Sequence, residues 1–308
     1  MRERSAIPLG RGTVLILFLA SLAGLMVFGW PLLVTGSSHD TDAPFILLAV
    51  LPVLVLVVLT SVSEGGMDPK ALAMLGVLAA VTAALRPLGA GVGGIELVFF
   101  LLVLSGRVFG AGFGFVLGAL SLFASALITG GVGPWLPFQM IASAWVGLGA
   151  GLLPVRVRGR AELVLLAGYG VLASYAYGLV MNLWFWPFSV GADTSVSFIP
   201  GDPLGANLER FAVYTLTTST LGWDTGRAVT TAVLVMLLGP AILATLRRAN
   251  RLASFGAVAE FASTVVDPDD GVTPEARFTA GSPSGHDSVS RDSYRPGYQR
   301  SSQNRLPG

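Results

Sequence analysis

Arg86 and Glu96 carry opposite charges on either side of a glycine-rich connection, Pro87-Leu88-Gly89-Ala90-Gly91-Val92-Gly93-Gly94. Either they pair with each other at an interface, or Arg86 is available to a carboxylate, phosphate or amide on a ligand. Trp135 and Gln139 stand four residues apart, so on a helix they share a face. An indole beside an amide suits a planar or ring-bearing ligand, although an amide in an apolar helix serves equally as glue between helices. Asn182 and Trp186 repeat that spacing, and Trp223 and Asp224 precede the last apolar run. Asp224 reads first as the N-cap of that run, and Tyr175 and Tyr177 read as structural. There is no cysteine, which excludes disulfides, thiolate metal sites, iron–sulfur ligation and a thiol nucleophile. The two histidines, His39 and His286, lie outside the apolar stretches, leaving a histidine-based triad or haem pair without support. No GxxxxGK[ST] loop occurs, so any ATP binding belongs to partners. No metal or cofactor is expected.

The elements that must position these residues are membrane helices. Of the 308 residues 53% are hydrophobic and 12% charged, against about 25% charged in soluble domains, and the mean hydropathy is +0.72. A soluble fold of this length cannot bury so much apolar surface. The net charge of +1 gives no case for nucleic acid. Eight apolar spans are expected, near 13–34, 44–63, 70–87, 93–108, 110–129, 134–153, 162–187 and 225–246. The fourth and fifth are divided at Ser105-Gly106-Arg107-Val108-Phe109-Gly110, because one helix through both would bury Arg107 at mid-membrane.

The basic residues orient the spans. With the N-terminus inside, Arg2, Arg4, Arg11, Lys70, Arg107, Arg156, Arg158, Arg160, Arg247, Arg248 and Arg251 are all cytoplasmic, while Arg86, Arg210 and Arg227 face out. That bias supports both termini inside a cell membrane. The start does not read as a cleaved signal, since its apolar run is long and no small-x-small site precedes Ser37-Ser38-His39. The chain divides into two N-terminal spans (1–69), a core of six (70–250) with a long outer loop at 188–224, and a tail (251–308) whose Ser, Asp, Gly, Pro and Gln content reads as disordered. Leu208 to Leu221 is apolar enough for an interfacial helix inside that loop, and Leu252 to Val266 for an amphipathic piece. The loop reads as a lid over a binding site, or as a surface loop beside an aromatic belt.

Small residues recur at four-residue spacing: Gly110, Gly114 and Gly118, then Gly147 and Gly151. These read as close helix packing. Ala79 with Ala83, and Ala80 with Ala84, repeat the spacing on the third span, as an internal contact or as a docking face for another subunit.

Residues 70–153 resemble the substrate-binding S components of energy-coupling factor (ECF) vitamin transporters. The resemblance is carried by the alanine-rich LAMLGVLAAVTAALRPLG, by the block ELVFFLLVLSGRVFGAGFGFVLGALSLFASALITGG and by GPWLPFQMIASAWVGLGAGLLP. It implies an all-α polytopic membrane protein: a six-helix S-component-like core, here preceded by two extra helices. It implies that Ala79, Ala80, Ala83 and Ala84 form the face that meets a membrane-embedded ECF coupling protein driven by two cytoplasmic ATPases. A vitamin or related micronutrient would then bind at the outer side, with cobalamin the first expectation. Arg86, Glu96, Trp135, Gln139, Asn182, Trp186 and Trp223 are the candidate substrate contacts, and the chain itself would catalyse nothing.

Three other classes compete. A membrane enzyme of lipid metabolism needs paired carboxylates or histidine in mid-span, and the spans read as nearly free of them. An ion-driven secondary transporter needs acidic residues or broken helices there. A structural subunit of a larger complex predicts no ligand at all.

Overall fold

The computed structural model of the chain describes residues 11–33, six residues within 52–60, and residues 69–89, 93–190 and 194–264. Among the described residues all regular structure is helical: α1 (Arg11–Phe28), α2 (Trp30–Leu33), α3 (Pro69–Gly89), α4 (Phe99–Phe109), α5 (Ala111–Thr129), α6 (Leu136–Leu152), α7 (Arg160–Ser189), α8 (Leu204–Thr215), a π-helical segment (Leu216–Asp224) and α9 (Thr225–Thr264). Among the described residues five helices are long and apolar enough to cross a membrane: α1, α3, α5, α7 and the continuous run Leu204–Leu252. The described part is all-helical and has the makings of a multi-pass membrane protein.

The expected spans and the observed helices differ at several places. Within 44–63, the described residues Pro52, Val53, Val55, Leu56, Leu59 and Thr60 are helical, and the rest lies outside the described residues. The span expected at 93–108 yields a helix of only 11 residues, Phe99–Phe109. At 1.5 Å per residue that is about 16 Å, half the hydrocarbon thickness. The helix starts late because Gly93 and Gly94 take positive φ, 41° and 78°. Every residue of α4 is buried, so it is a core element packed among α5, α6 and α7. Its break from α5 is a single residue, Gly110, at φ 95°, a conformation open mainly to glycine.

The core is held by close backbone approach and by aromatic contacts. A Cβ at Gly114 would overlap the carbonyl of Gly147, and one at Gly118 that of Ser143. The four-residue glycine spacing on α5 and α6 therefore lets these two helices touch backbone to backbone. On α3 the two alanine pairs part company. Ala79 and Ala83 are buried, while Ala80 and Ala84 are exposed. Phe138 stacks on Trp184, centroids 4.0 Å apart, tying α6 to α7. α1 is joined to α6 by Trp145 Nε1, which donates to Ser21 Oγ at 3.0 Å.

Arg107 is not a free cytoplasmic charge at a turn. It lies inside the last turn of α4 and is 8% exposed. Its Nε donates to Glu162 Oε1 at 2.6 Å, its Nη1 to the carbonyls of Leu153 and Pro154, and its Nη2 to that of Val157. Arg247 Nη2 donates to the same Glu162 oxygen at 2.7 Å. The guanidinium thus ties the α6–α7 connection to α4, and Glu162, 1% exposed, joins α7 to α9. A buried charge is tolerated when every one of its polar atoms is engaged in this way.

The stretch 188–224, read as a long loop with an interfacial helix at Leu208 to Leu221, is helical from Leu204 onward and runs without a break into α9. The backbone of α9 stays helical to Thr264, across the stretch where an amphipathic piece, Leu252 to Val266, was expected at the start of the tail. Residues 265–308, the remainder of that tail, lie outside the described residues.

Candidate functional site

One end of the helix assembly brings together Arg86, Glu96, Gln139, Asn182, Asp224 and Arg227. There α3 finishes, α4 and α6 begin, and the π-helical segment passes into α9. Two cavities of about 330 and 320 Å³ open at this end and share Arg86, Glu96, Trp223 and Arg227 as walls. The first also meets Gln139, Tyr177, Asn182 and Asp224. The second is bounded by Trp135 and by the glycine-rich connection at Gly94.

The segment Thr215–Gly226 shapes this site because its composition opposes an ordinary α-helix. Leu-Thr-Thr-Ser-Thr-Leu-Gly-Trp-Asp combines three β-branched threonines with a glycine, all poor helix formers. The hydroxyls bond back to the backbone: Thr218 Oγ1 donates to Tyr214 O at 2.7 Å and Thr225 Oγ1 to Thr220 O at 2.6 Å. The resulting π-helix is a rare state found mostly at functional sites. It carries Thr218, Ser219, Trp223 and Asp224 to the cavity wall. Opposite it, a Cβ at Gly94 would overlap the Trp223 backbone, so the glycine-rich connection lies directly against the π segment.

Asp224 caps no helix, because it sits inside a continuous one. It is 1% exposed and fully engaged. Its Oδ1 accepts from Arg227 Nη1 at 2.8 Å and its Oδ2 from Ser219 Oγ at 2.9 Å. Its carboxylate occupies the space that a side chain on Gly178 would need. Arg227 also donates to Ser174 O at 3.3 Å. Its guanidinium lies over two rings, 4.8 Å from Tyr177 and 5.4 Å from Phe99, a desolvated cation–π arrangement.

The other charged pair behaves differently. Arg86 Nη2 donates to Gln139 Oε1 at 2.9 Å, which links α3 to α6. Glu96 lies in the connection outside both helices and accepts from the Val98 N–H. Burial pushes its carboxyl above the ordinary carboxylate range, and the positive charges of Arg227 and Arg86 only partly offset this.

Of the residues singled out in the sequence, Arg86, Glu96, Trp135, Gln139, Asn182 and Trp223 all line one or both cavities. Trp186 lines neither. It is fully buried beside Phe211 and Tyr214, donating from Nε1 to Val196 O at 2.7 Å. It supports Tyr214, whose ring does reach the cavity. Its spacing from Asn182 puts the two on one helix face, but α8 covers the outer part of that face. Sequence reasoning missed Arg227, Tyr177, Tyr214 and Ser219, and took Asp224 for a cap. The available signal was the Asp224–Arg227 spacing of three at the edge of an apolar run. Among the described residues no group of three His, Asp or Glu side chains is placed to hold a metal ion.

This arrangement offers hydrogen-bond donors and acceptors around aromatic walls. The chain matches no protein-family model, no curated protein and no solved structure, so its functional reading stands on its residues and their geometry.

Proposed function

We propose that this chain is the substrate-capture subunit of an ECF-type importer for a vitamin or related micronutrient. In this reading it is a cell-membrane protein whose chain passes from side to side eight times, one passage being the short buried α4, with both termini in the cytoplasm. The site end faces out, which agrees with the placement of Arg86 and Arg227 against the bias of the other basic residues. The observation that carries the reading is the pair of cavities where Arg86, Gln139, Asn182 and Arg227 converge with Tyr177 and Trp223. Few convergent polar groups within aromatic walls are the signature of a small-molecule site. Cavities of about 330 and 320 Å³ suit a compact ring compound better than a corrin. Cobalamin would need the π segment and α8 to move aside.

The partners would be a transmembrane coupling protein and two ATPases. Ala80 and Ala84, the exposed pair on α3, are then the residues available for docking, while Ala79 and Ala83 are occupied inside. The test is ligand binding by the purified full chain without ATP, across a panel of vitamins that includes cobalamin. A melting temperature raised by one compound supports capture, and no shift with any compound rejects it.

One observation favours a second reading, an ion-coupled secondary transporter. Asp224 is a buried acid at a π-helical distortion of a long apolar helix, and ion-coupled transporters place their ion sites where membrane helices depart from regular geometry. Uptake in cells separates the two. Collapse of the proton or sodium gradient with ATP maintained abolishes ion-coupled uptake and spares ATP-driven uptake.

A further inference from the structure

The hydrogen-bonding capacity of the site is lopsided. Its acids are already engaged: both Asp224 oxygens have partners, and Glu96 accepts from Val98. Its donors are not. Asn182 Nδ2 and Arg227 Nε are buried without a partner. Arg86 uses one Nη on Gln139, and a guanidinium has five N–H groups to give. Gln139, whose Oε1 accepts that bond, also brings an amide NH2 to the cavity wall. Buried donors without partners are costly and uncommon, so Asn182 Nδ2 and Arg227 Nε, set beside the further donors of Arg86 and Gln139, ask for a ligand rich in acceptors.

From this geometry we infer that the captured molecule is a small ring compound bearing a carboxylate, which lodges between Arg86 and Asn182 with Arg227 behind. This rests on the capture reading above and narrows it to a substrate class. A carboxylate offers two planar oxygens that match the fork of Arg86 and still accept from an amide. A monoanion fits the charge better than a phosphate. Asp224 balances Arg227 at 2.8 Å, and burial draws Glu96 toward its neutral form, leaving about one positive charge, that of Arg86, to be met. Tyr177, Tyr214, Trp223 and Met181 bound the same cavity and supply faces for a ring.

The test uses acid and amide partners of the same shape: nicotinate with nicotinamide, and biotin with biotinamide. Uncharged and cationic vitamins (riboflavin, thiamine) complete the set. Each is titrated against the purified full chain, Arg86→Gln, Arg86→Lys and Asn182→Leu, with melting of the unliganded proteins as the folding check. One acid is expected to bind about tenfold or more tightly than its partner, as a charge-assisted bond requires. Arg86→Gln should erase that preference, Arg86→Lys restore part of it, and Asn182→Leu weaken the acid selectively. Equal binding of acid and partner, or binding of riboflavin or thiamine alone, overturns the carboxylate assignment and leaves capture standing. No binding by any compound overturns both.

Discussion

Glu162 holds two arginines at once, Arg107 at 2.6 Å and Arg247 at 2.7 Å, through one oxygen while 1% exposed. Removing one member of a buried ion network leaves uncompensated charge, whereas removing all members leaves an apolar contact. Glu162→Gln is therefore expected to cost about 3–5 kcal/mol of stability. The triple change Arg107→Met, Glu162→Leu, Arg247→Met should recover most of that. Denaturation in detergent, read by helix content, decides it: a neutral Glu162→Gln would mean that the network is screened and dispensable. At the opposite end the sensitive position is Gly178, which has no side chain because the Asp224 carboxylate fills that space. Gly178→Ala must push Asp224 off Arg227 or Ser219. Overpacking of this kind costs about 1–3 kcal/mol, and ligand affinity should fall with it. An alanine tolerated with unchanged melting and binding would show that the contact is slack.

Between these ends, α3 and the π segment are the elements whose form decides function. Ala79 and Ala83 are 3% and 0% exposed, so tryptophan at either should destabilise the fold. Tryptophan at Ala80 or Ala84 should leave melting and ligand binding intact and abolish uptake. Uptake that survives at both outer positions removes α3 as the coupling face. The π segment makes a separate prediction. Deleting Thr220 shortens Leu216–Asp224 by one residue, enough to relax a π turn into an α turn. That rotates Thr218 and Ser219 relative to Asp224 while leaving α9 apolar, so the variant should insert and purify normally yet bind no ligand. Much of this architecture was legible in the sequence. Apolar runs and glycine spacing located α3, α5, α6 and α7, and the outer-end polar residues Arg86, Gln139 and Asn182 stood out as rare in apolar surroundings. What was not legible depends on contacts between distant segments. The run 204–224 read as part of a long loop with a helix only at Leu208 to Leu221, whereas packing of Phe211 and Tyr214 on Trp186 supports helix over its whole length. Arg107 read as solvent-facing because its partner Glu162 lies 55 positions away.

At the scale of the molecule, two buried clusters of charge stand out among the described residues: Arg107, Glu162 and Arg247 in one, and Asp224 and Arg227 with Arg86 and Glu96 in the other. In the far cluster both arginines are paired to Glu162, whereas the site cluster keeps a carboxyl, Glu96, whose state is set by its surroundings. Four groups face it or share its cavity: Arg86 from α3, Arg227 from α9, Asp224 from the π segment and Tyr177 from α7. Burial raises the carboxyl above its ordinary value despite the two cations. Glu96 is therefore protonated more readily in the folded protein than in an unfolded chain, and its neutral form prevails at low pH. Rising pH ionises it and puts a negative charge in the cavity. A carboxylate ligand then meets repulsion that it did not meet before. Affinity for an acid ligand should fall as pH climbs through the folded value of Glu96, and stability should fall over the same window, since the folded state binds the extra proton. Glu96→Gln keeps the side-chain shape and removes the titration, so both curves should flatten at the level of the low-pH wild type. Isothermal titration and melting across the weakly acidic to neutral range measure the two quantities on one preparation. Affinity that rises with pH, or a Glu96→Gln curve as steep as that of the wild type, would place the controlling proton elsewhere.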